Sequence, residues 1–272
     1  VTTDLALIAV VAAGLLGLIV GSFLNVVIHR VPQGRSVVRP RSACPSCGAG
    51  ITPRDEVPVL SWLLLRGRCR SCRASISARY PLVELANGVL WGAMAWWCLV
   101  GSGPAGLLPL LLVLTSACLA LALIDLDVHR LPNAIVYPLY PITAVGLVVA
   151  WLISGESNVT GALIGAVLWT TVTGVLHVLT RGRGMGLGDV KLSPVLGATV
   201  GWVGIGASAS GLFASFLLGG AVAVVLLVAG RARRRQAIAF GPFLIAGAAV
   251  GLVLGPALAA WYLGAASGAI VA

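Results

Sequence analysis

The chain has 272 residues, of which 59% are hydrophobic and 10% charged, and its mean hydropathy is +1.03. So few charged side chains exclude a water-soluble globular domain, and so much hydrophobicity excludes a disordered chain. The chain has 18 cationic residues and eight acids, which leaves a net charge of +10. In a soluble protein this charge would suggest binding to nucleic acid, but here membrane topology explains it better. We therefore expect an all-α polytopic membrane protein with no nucleic-acid partner.

The first uncharged segment, Leu5–Ile28, is long enough to span a bilayer. It lacks the positively charged leading region of a signal peptide, so we expect a retained first transmembrane helix over residues 1–28. The further apolar runs are Leu82–Val100, Gly106–Ile124, Ala134–Ile153, Val159–Thr180, Leu192–Gly230 and Phe243–Leu263. The run from Leu192 is too long for one helix, and its glycine-rich stretch 201–206 predicts a turn between two spans. About eight transmembrane helices are therefore expected.

The cationic residues all fall on one side when the loops are assigned alternately to the two faces of the membrane. The loops on this side are Arg30–Arg79, His129–Arg130, Arg181–Lys191 and Arg231–Arg235. The opposite side holds only short links such as Ser154–Asn158. Because lysine and arginine accumulate in cytoplasmic loops, the cationic side is predicted to be cytoplasmic and both termini to lie outside.

The largest segment outside the predicted spans, residues 29–80, contains two CxxC pairs. Cys44 and Cys47 are separated by 21 residues from Cys69 and Cys72, which is close to the spacing of a tetrahedral zinc site. Since this segment is too short and too cationic to bury a sizeable core, we expect a small cytoplasmic loop domain folded around a structural zinc ion. Two disulfides, or reduced cysteines without metal, are the alternatives, and a cytoplasmic location disfavours disulfides.

The arginines of this loop have two interpretations. They are usually topology signals, as the positive-inside rule describes. Alternatively, they bind anionic lipid headgroups or a nucleic acid. The first interpretation is the more common one; among partners, membrane lipids are expected and a nucleic acid is not.

Acidic residues are rare in and beside the later spans, where a charge is costly and marks a functional candidate. These acids are Glu84, Asp125, Asp127 and Asp189. Asp125 ends the third span and Asp189 precedes the sixth, so both are predicted at the cytoplasmic edge of the membrane. The glycines at 186 and 188 allow a close approach of the backbone beside Asp189.

Two carboxylates that share one proton can activate water for attack on a peptide carbonyl, one acting as base and the other as acid. The alternative is that each aspartate caps a helix or pairs with a neighbour, Asp125 with Arg130 and Asp189 with Lys191. Spacing alone leaves both interpretations open, because it does not show that residues 64 positions apart meet.

The order and spacing of several motifs resemble those of the type IV prepilin peptidases, which are membrane aspartic proteases of the GxGD type. The matching segments are Gly21–Val27 with Arg30 and Pro32, the two CxxC pairs, Arg79–Glu84, Asp125 with Leu131–Asn133, Gly186–Lys191 and Phe240–Phe243. Each motif is weak alone, but together they cover nearly the whole chain.

The resemblance implies cleavage of the basic leader of prepilins or pseudopilins at the cytoplasmic face of the bacterial cell membrane. It assigns catalysis to Asp125 and Asp189, with Gly186, Gly188 and Lys191 in support, and makes Asp127 a weaker candidate. Members with a cysteine-bearing loop usually also methylate the new amino terminus from S-adenosylmethionine, whose pocket no glycine-rich signature places here. The implied organisation is a first helix (1–28), a four-cysteine zinc-binding domain associated with methylation (29–80) and a peptidase domain of about seven helices (81–272).

Two rival functions have different consequences. A transporter would also carry acids in a helical bundle, but nearer the bilayer midplane and in broken helices. A zinc-ribbon adaptor without protease activity would explain the cysteines and leave both aspartates without a role.

The charge of the predicted cytoplasmic face is unfavourable for the implied substrate. A cationic face repels a basic leader unless acids such as Asp55, Glu56 or Asp127 offset its charge.

Overall fold

The computed structural model describes residues 3–230 and 239–270, with side chains up to residue 264. The predicted basic cluster Arg231–Arg235 lies outside the described residues. The described chain is almost entirely helical, and its β pairing consists of two isolated bridges, Ala43 with Gly50 and Arg68 with Ser75. The predicted all-α class is confirmed.

Ten α-helices form within the described residues. They are α1 (Thr3–Arg30), α2 (Leu60–Leu64), α3 (Arg79–Leu99), α4 (Leu108–Val128), α5 (Asn133–Ser154), α6 (Val159–Leu179), α7 (Leu187–Val203), α8 (Ile205–Val228), α9 (Gly241–Val253) and α10 (Gly255–Ile270). Six of them, α1, α3, α4, α5, α6 and α8, are long and apolar enough to cross a membrane. The pair α9 and α10 adds a seventh span if it is counted as one. The multi-pass architecture therefore agrees with the prediction.

The long apolar run from Leu192 divides into α7 and α8, as predicted, but the break is a single extended residue, Gly204, rather than a glycine-rich turn. Helix α7 also begins at Leu187, five residues before the apolar run. With 17 residues, it is at the lower limit of length for a span. Its first turn therefore contains Asp189, which the sequence placed in the preceding loop.

The predicted last span, Phe243–Leu263, forms two helices rather than one. Helices α9 and α10 meet at Leu254 and are bent by 68°. Pro256 explains the break, because proline lacks the N–H that would continue the hydrogen bonding of α9 and is favoured in the first turn of a new helix.

The chain forms two compact units, Val1–Ala120 and Leu121–Ala272. In the first unit, α1 packs on α3 through small residues, so that a Cβ atom on Gly21 would lie 2.7 Å from the Cα of Glu84. The buried Asn87 side chain donates to the carbonyl oxygen of Gly17 at 2.7 Å. Close backbone approach at small residues, joined by a polar side chain, is typical of helix pairs in membranes.

In the second unit, α6 packs closely on α7. Gly161 and Gly165 face Gly201 and Gly197, with no room for a Cβ atom at any of the four positions. Near the start of α7, the Thr173 hydroxyl of α6 donates to the Ser193 hydroxyl at 3.0 Å, and both side chains are fully buried. This packing fixes the helix whose first turn carries Asp189.

Candidate active site and metal centre

Asp125 and Asp189 are buried at the ends of two different helices. Asp125 lies in the last turn of α4, and Asp189 is the third residue of α7. Their exposed fractions are 5% and 6%. Burial of two carboxylates in one unit costs free energy unless they find partners or bind protons, which makes both residues functional candidates.

The two carboxylates meet over Gly241, the first residue of α9. The backbone N–H of Gly241 donates to Oδ2 of Asp125 at 3.1 Å. A Cβ atom on Gly241 would lie 2.8 Å from Oδ2 of Asp125 and 3.4 Å from Oδ1 of Asp189. Oδ2 of Asp125 and Oδ1 of Asp189 therefore lie beside the same point in space, and the distance between these two oxygens cannot exceed the sum of the two distances given. The structure brings together the two aspartates that the sequence singled out, and it adds Gly241 as a third element.

Asp189 is held by its own helix terminus. Its Oδ2 accepts a hydrogen bond from the backbone N–H of Gly186 at 3.1 Å, which caps α7. Its Oδ1 is buried and has no hydrogen-bond partner among the described residues. Because this is the oxygen nearest to Gly241, the carboxylate presents an unpartnered acceptor toward Asp125.

The supporting residues bring α7 close to its neighbours. A Cβ atom on Gly188 would lie 2.8 Å from the Cβ of Leu131, so glycine permits this close approach. Lys191, considered above as an ion-pair partner of Asp189, instead donates from Nζ to Oδ1 of Asn133 at 3.1 Å. Its Nζ also lies 5.3 Å from the ring centroid of Tyr137. These contacts join the start of α7 to the start of α5.

Asp127 occupies a different position on α4. It lies two residues beyond Asp125, on another side of the helix, and its side chain is exposed. The geometry therefore favours Asp125 over Asp127 as the partner of Asp189.

Gly241 could not be identified from the sequence as part of the site. Its Phe-Gly-Pro-Phe segment matched a family motif, and a Gly-Pro pair is a common helix start. Neither observation reveals the contact with Asp125, which is 116 positions away in the chain.

The four loop cysteines form one cluster. The sulfur atoms of Cys44, Cys47, Cys69 and Cys72 all lie within 4.8 Å of one another, and all four residues are free thiols. The sulfurs of Cys44 and Cys72 are 3.8 Å apart. A tetrahedral zinc ion with Zn–S bonds of about 2.3 Å separates its sulfur ligands by about 3.8 Å. The cluster is therefore compatible with a structural zinc site.

Two equivalent turns build this cluster. Cys44 N–H donates to the Ala49 carbonyl at 2.9 Å, and Cys69 N–H donates to the Ala74 carbonyl at 2.8 Å. Hydrogen bonds from the backbone N–H groups of Cys47 and Ser46 lower the pKa of the Cys44 thiol to about 6. Backbone hydrogen bonds of this kind favour the thiolate, which is the form of cysteine that binds zinc.

An ion pair braces the second turn. Arg70, which lies inside the second CxxC pair, donates from Nη2 to Oδ1 of Asp55 at 2.6 Å and from Nε to both carboxylate oxygens at 3.0 Å. The Arg70 guanidinium holds the pKa of the Asp55 carboxyl below its usual value. Asp55 is therefore already paired within the loop.

Comparison with known proteins gives a consistent picture. Residues 15–98 match the family model of the bacterial peptidase A24 N-terminal domain, and residues 112–228 match that of the type IV leader peptidase family. The chain is 37% identical to a prepilin leader peptidase/N-methyltransferase of Stutzerimonas stutzeri, over 93% of both chains. It is 38% identical to the protein of that name from Neisseria gonorrhoeae, over 87% of both, and 35% identical to that from Pseudomonas aeruginosa, over 92% of this chain and 91% of the relative. No solved structure matches the chain.

Proposed function

The chain belongs to the type IV leader peptidase family, and on this premise we propose that it is a membrane aspartic endopeptidase that removes the basic leader of prepilins or pseudopilins. The observation that carries the proposal is the approach of the Asp125 and Asp189 carboxylates to each other over Gly241. Relatives named for prepilin processing support the choice of substrate.

The geometry suits a mechanism in which the two carboxylates act on one water molecule. Like charges this close favour a pair that holds a single proton. The ionised carboxylate takes a proton from the water, whose oxygen then attacks the scissile carbonyl carbon. The protonated carboxyl donates its proton to the carbonyl oxygen, which gives a neutral tetrahedral intermediate. The carboxyl that took the proton from water then passes it to the leaving nitrogen, while the other carboxylate takes a proton from a hydroxyl of the intermediate. The C–N bond breaks, the new amine is released and the pair again holds one proton. The roles of base and acid belong to the pair rather than to one named aspartate.

The two aspartates lie at helix ends, which matches the expected depth of the scissile bond of a prepilin. Asp125 ends a long apolar helix and Asp189 begins another, so both belong at a membrane edge rather than at its midplane. A prepilin has an apolar helical stem and a basic leader, and its scissile bond lies between them. Asp55 does not offset the cationic face for this leader, since Arg70 already occupies it.

The activity is tested directly by combining the purified, reconstituted protein with a prepilin. A leader peptidase shortens the prepilin on a gel and leaves a new N-terminus that mass spectrometry identifies. A transporter or an adaptor without protease activity leaves the prepilin unchanged, which would contradict the proposal.

We further propose that the protein methylates the new amino terminus, as the names of its relatives state for them. S-adenosylmethionine would supply the methyl group in that reaction. The same mass measurement tests this second activity, because methylation replaces one N–H hydrogen of the shortened pilin by a methyl group and so adds the mass of one CH2 unit.

The cysteine cluster is proposed to bind one structural zinc ion, since its four sulfurs are already at ligand spacing. Purified protein is expected to contain one zinc per chain by metal analysis. Cys47→Ala and Cys72→Ala should each lose the metal and lower the stability of the loop domain, because a zinc ion contributes folding free energy directly. Cys98→Ala, at a buried cysteine outside the cluster, is the control and should retain zinc. A zinc content near zero in wild-type protein prepared without chelator would refute the assignment.

We also propose that the cationic side faces the cytoplasm and that both termini lie outside. The support is the distribution of arginines and lysine among alternating loops. Reporter fusions after Ser157 and after Arg233 are expected to report opposite sides of the membrane. A cytoplasmic signal from Ser157 would overturn this topology and the cytoplasmic placement of both aspartates.

A further inference from the structure

The short helix α2 turns its apolar side chains outward. Leu60, Leu63 and Leu64, defined here as the leucine face, are exposed by 52%, 58% and 74%. Their spacing of three and four residues places them on one side of the helix. Ser61 of the same helix is buried. This arrangement is the reverse of a helix that packs its apolar side into a domain core.

Specific contacts hold α2 in this orientation. The Ser61 hydroxyl donates to the Arg54 carbonyl at 3.0 Å. The Trp62 indole N–H donates to the Ile76 carbonyl at 3.0 Å, and its ring lies where a Cβ atom on Gly67 would be 2.8 Å away. Because the polar groups of Ser61 and Trp62 are bonded on the inner side, the leucine face cannot turn inward without breaking both bonds.

A buried carboxylate places α2 beside a membrane helix. The Val59 N–H, immediately before α2, donates to Oε2 of Glu84 at 2.7 Å. Glu84 is buried in the second turn of α3, where the apolar part of that helix starts. Val59 has a φ of 61°, which is unfavourable for a β-branched residue and is maintained by its surroundings. The start of α2 is therefore fixed at the level where a span begins.

Exposed arginines lie before and after α2 in the sequence. They are Arg54, Arg66, Arg68 and Arg73. Outward leucines, with exposed cationic side chains nearby in the chain, match the chemistry of the interfacial region of a bilayer with anionic lipids, where leucines reach the acyl boundary and guanidinium groups meet phosphates.

From these observations we propose that the leucine face is a membrane anchor. It inserts into the interfacial region of the same bilayer that α1 and α3 span, and it holds the loop domain against anionic headgroups. This inference goes beyond leader cleavage and does not depend on it. A second copy of the chain and the leader of a substrate are the alternative occupants, and the experiment distinguishes them.

The experiment uses the full chain with a photo-crosslinking phenylalanine analogue in place of Leu64. The protein is reconstituted in nanodiscs that contain phosphatidylglycerol. We expect lipid adducts by mass spectrometry on irradiation. The matched control places the analogue at Val38, which is 76% exposed in the same loop but outside α2. We expect its lipid adducts to be at least several-fold fewer. Zinc content checks that each variant keeps the folded loop, and both positions are exposed enough to accept the analogue.

Four outcomes would overturn the proposal. Cross-linked dimers at position 64 would assign the face to a second copy, and adducts that require added prepilin would assign it to the substrate. Equal lipid labelling at positions 38 and 64, or none at either, would show that the leucine face is not a specific anchor. Replacing phosphatidylglycerol with phosphatidylcholine should lower the yield of lipid adducts at position 64 several-fold. An unchanged yield would refute the proposed contact between the arginines and anionic headgroups.

Discussion

Asp125→Asn and Asp189→Asn are each expected to abolish leader cleavage. An amide has nearly the shape of a carboxylate, so the amide oxygen introduced at position 125 can still accept the hydrogen bond from Gly241. It cannot, however, exchange a proton with water or with the scissile carbonyl. Loss of a general acid or base typically lowers the rate by about 10²–10⁴-fold. The measurement is the initial rate of prepilin shortening by reconstituted protein.

The double variant tests whether the two carboxylates act as one unit. If they do, Asp125→Asn combined with Asp189→Asn should be no slower than either single variant, because removing one partner already disables the pair. Asp127→Asn is the matched control, since this exposed acid lies two residues from Asp125 on the same helix. Cleavage that survives either single change, together with an inactive Asp127→Asn, would show that the catalytic carboxylate was wrongly chosen.

The same variants separate the two proposed activities. Neither asparagine should unfold the protein, since each removes the cost of burying a charge and keeps a hydrogen-bonding group. If methylation uses a separate site in the loop domain, both variants should still methylate a pilin that lacks its leader. Cysteine variants that lose zinc should instead affect methylation. Loss of both activities in an aspartate variant that retains zinc would argue against separate sites.

Local features of the fold were readable from the sequence. The long helices follow from uninterrupted apolar runs, which in a membrane must satisfy their backbone hydrogen bonds internally. The cysteine cluster follows from two short turns, each of which fixes its own pair of thiols. A local feature that depends only on residues close together in the chain can be predicted from their spacing.

Features set by packing were not readable in the same way. The first turn of α7 extends back to Leu187 because Asp189 caps it through the Gly186 N–H, an effect that hydropathy does not register. The orientation of α2, with leucines outward, depends on hydrogen bonds to Arg54 and Ile76. The contact between Gly241 and Asp125 joins distant segments, and a sequence motif alone does not indicate what a glycine touches.

Gly241→Ala is expected to reduce leader cleavage almost as strongly as loss of an aspartate. The new methyl group would lie 2.8 Å from Oδ2 of Asp125 and 3.4 Å from Oδ1 of Asp189, so at least the first carboxylate must move. A displacement of about 1 Å at reacting groups can cost about 10²-fold in rate. The readout is again the initial rate of prepilin shortening.

The control for this change is Gly220→Ala in α8, where a Cβ atom would meet nothing within 4 Å. This variant should cleave at the wild-type rate, which separates the effect of the contact from that of losing any glycine in a membrane helix. Because Gly241→Ala leaves both carboxyl groups in the chain, its loss of activity would report on their placement rather than their presence. Wild-type cleavage by Gly241→Ala would mean that the carboxylates do not work in the arrangement described, even if both asparagine variants are inactive.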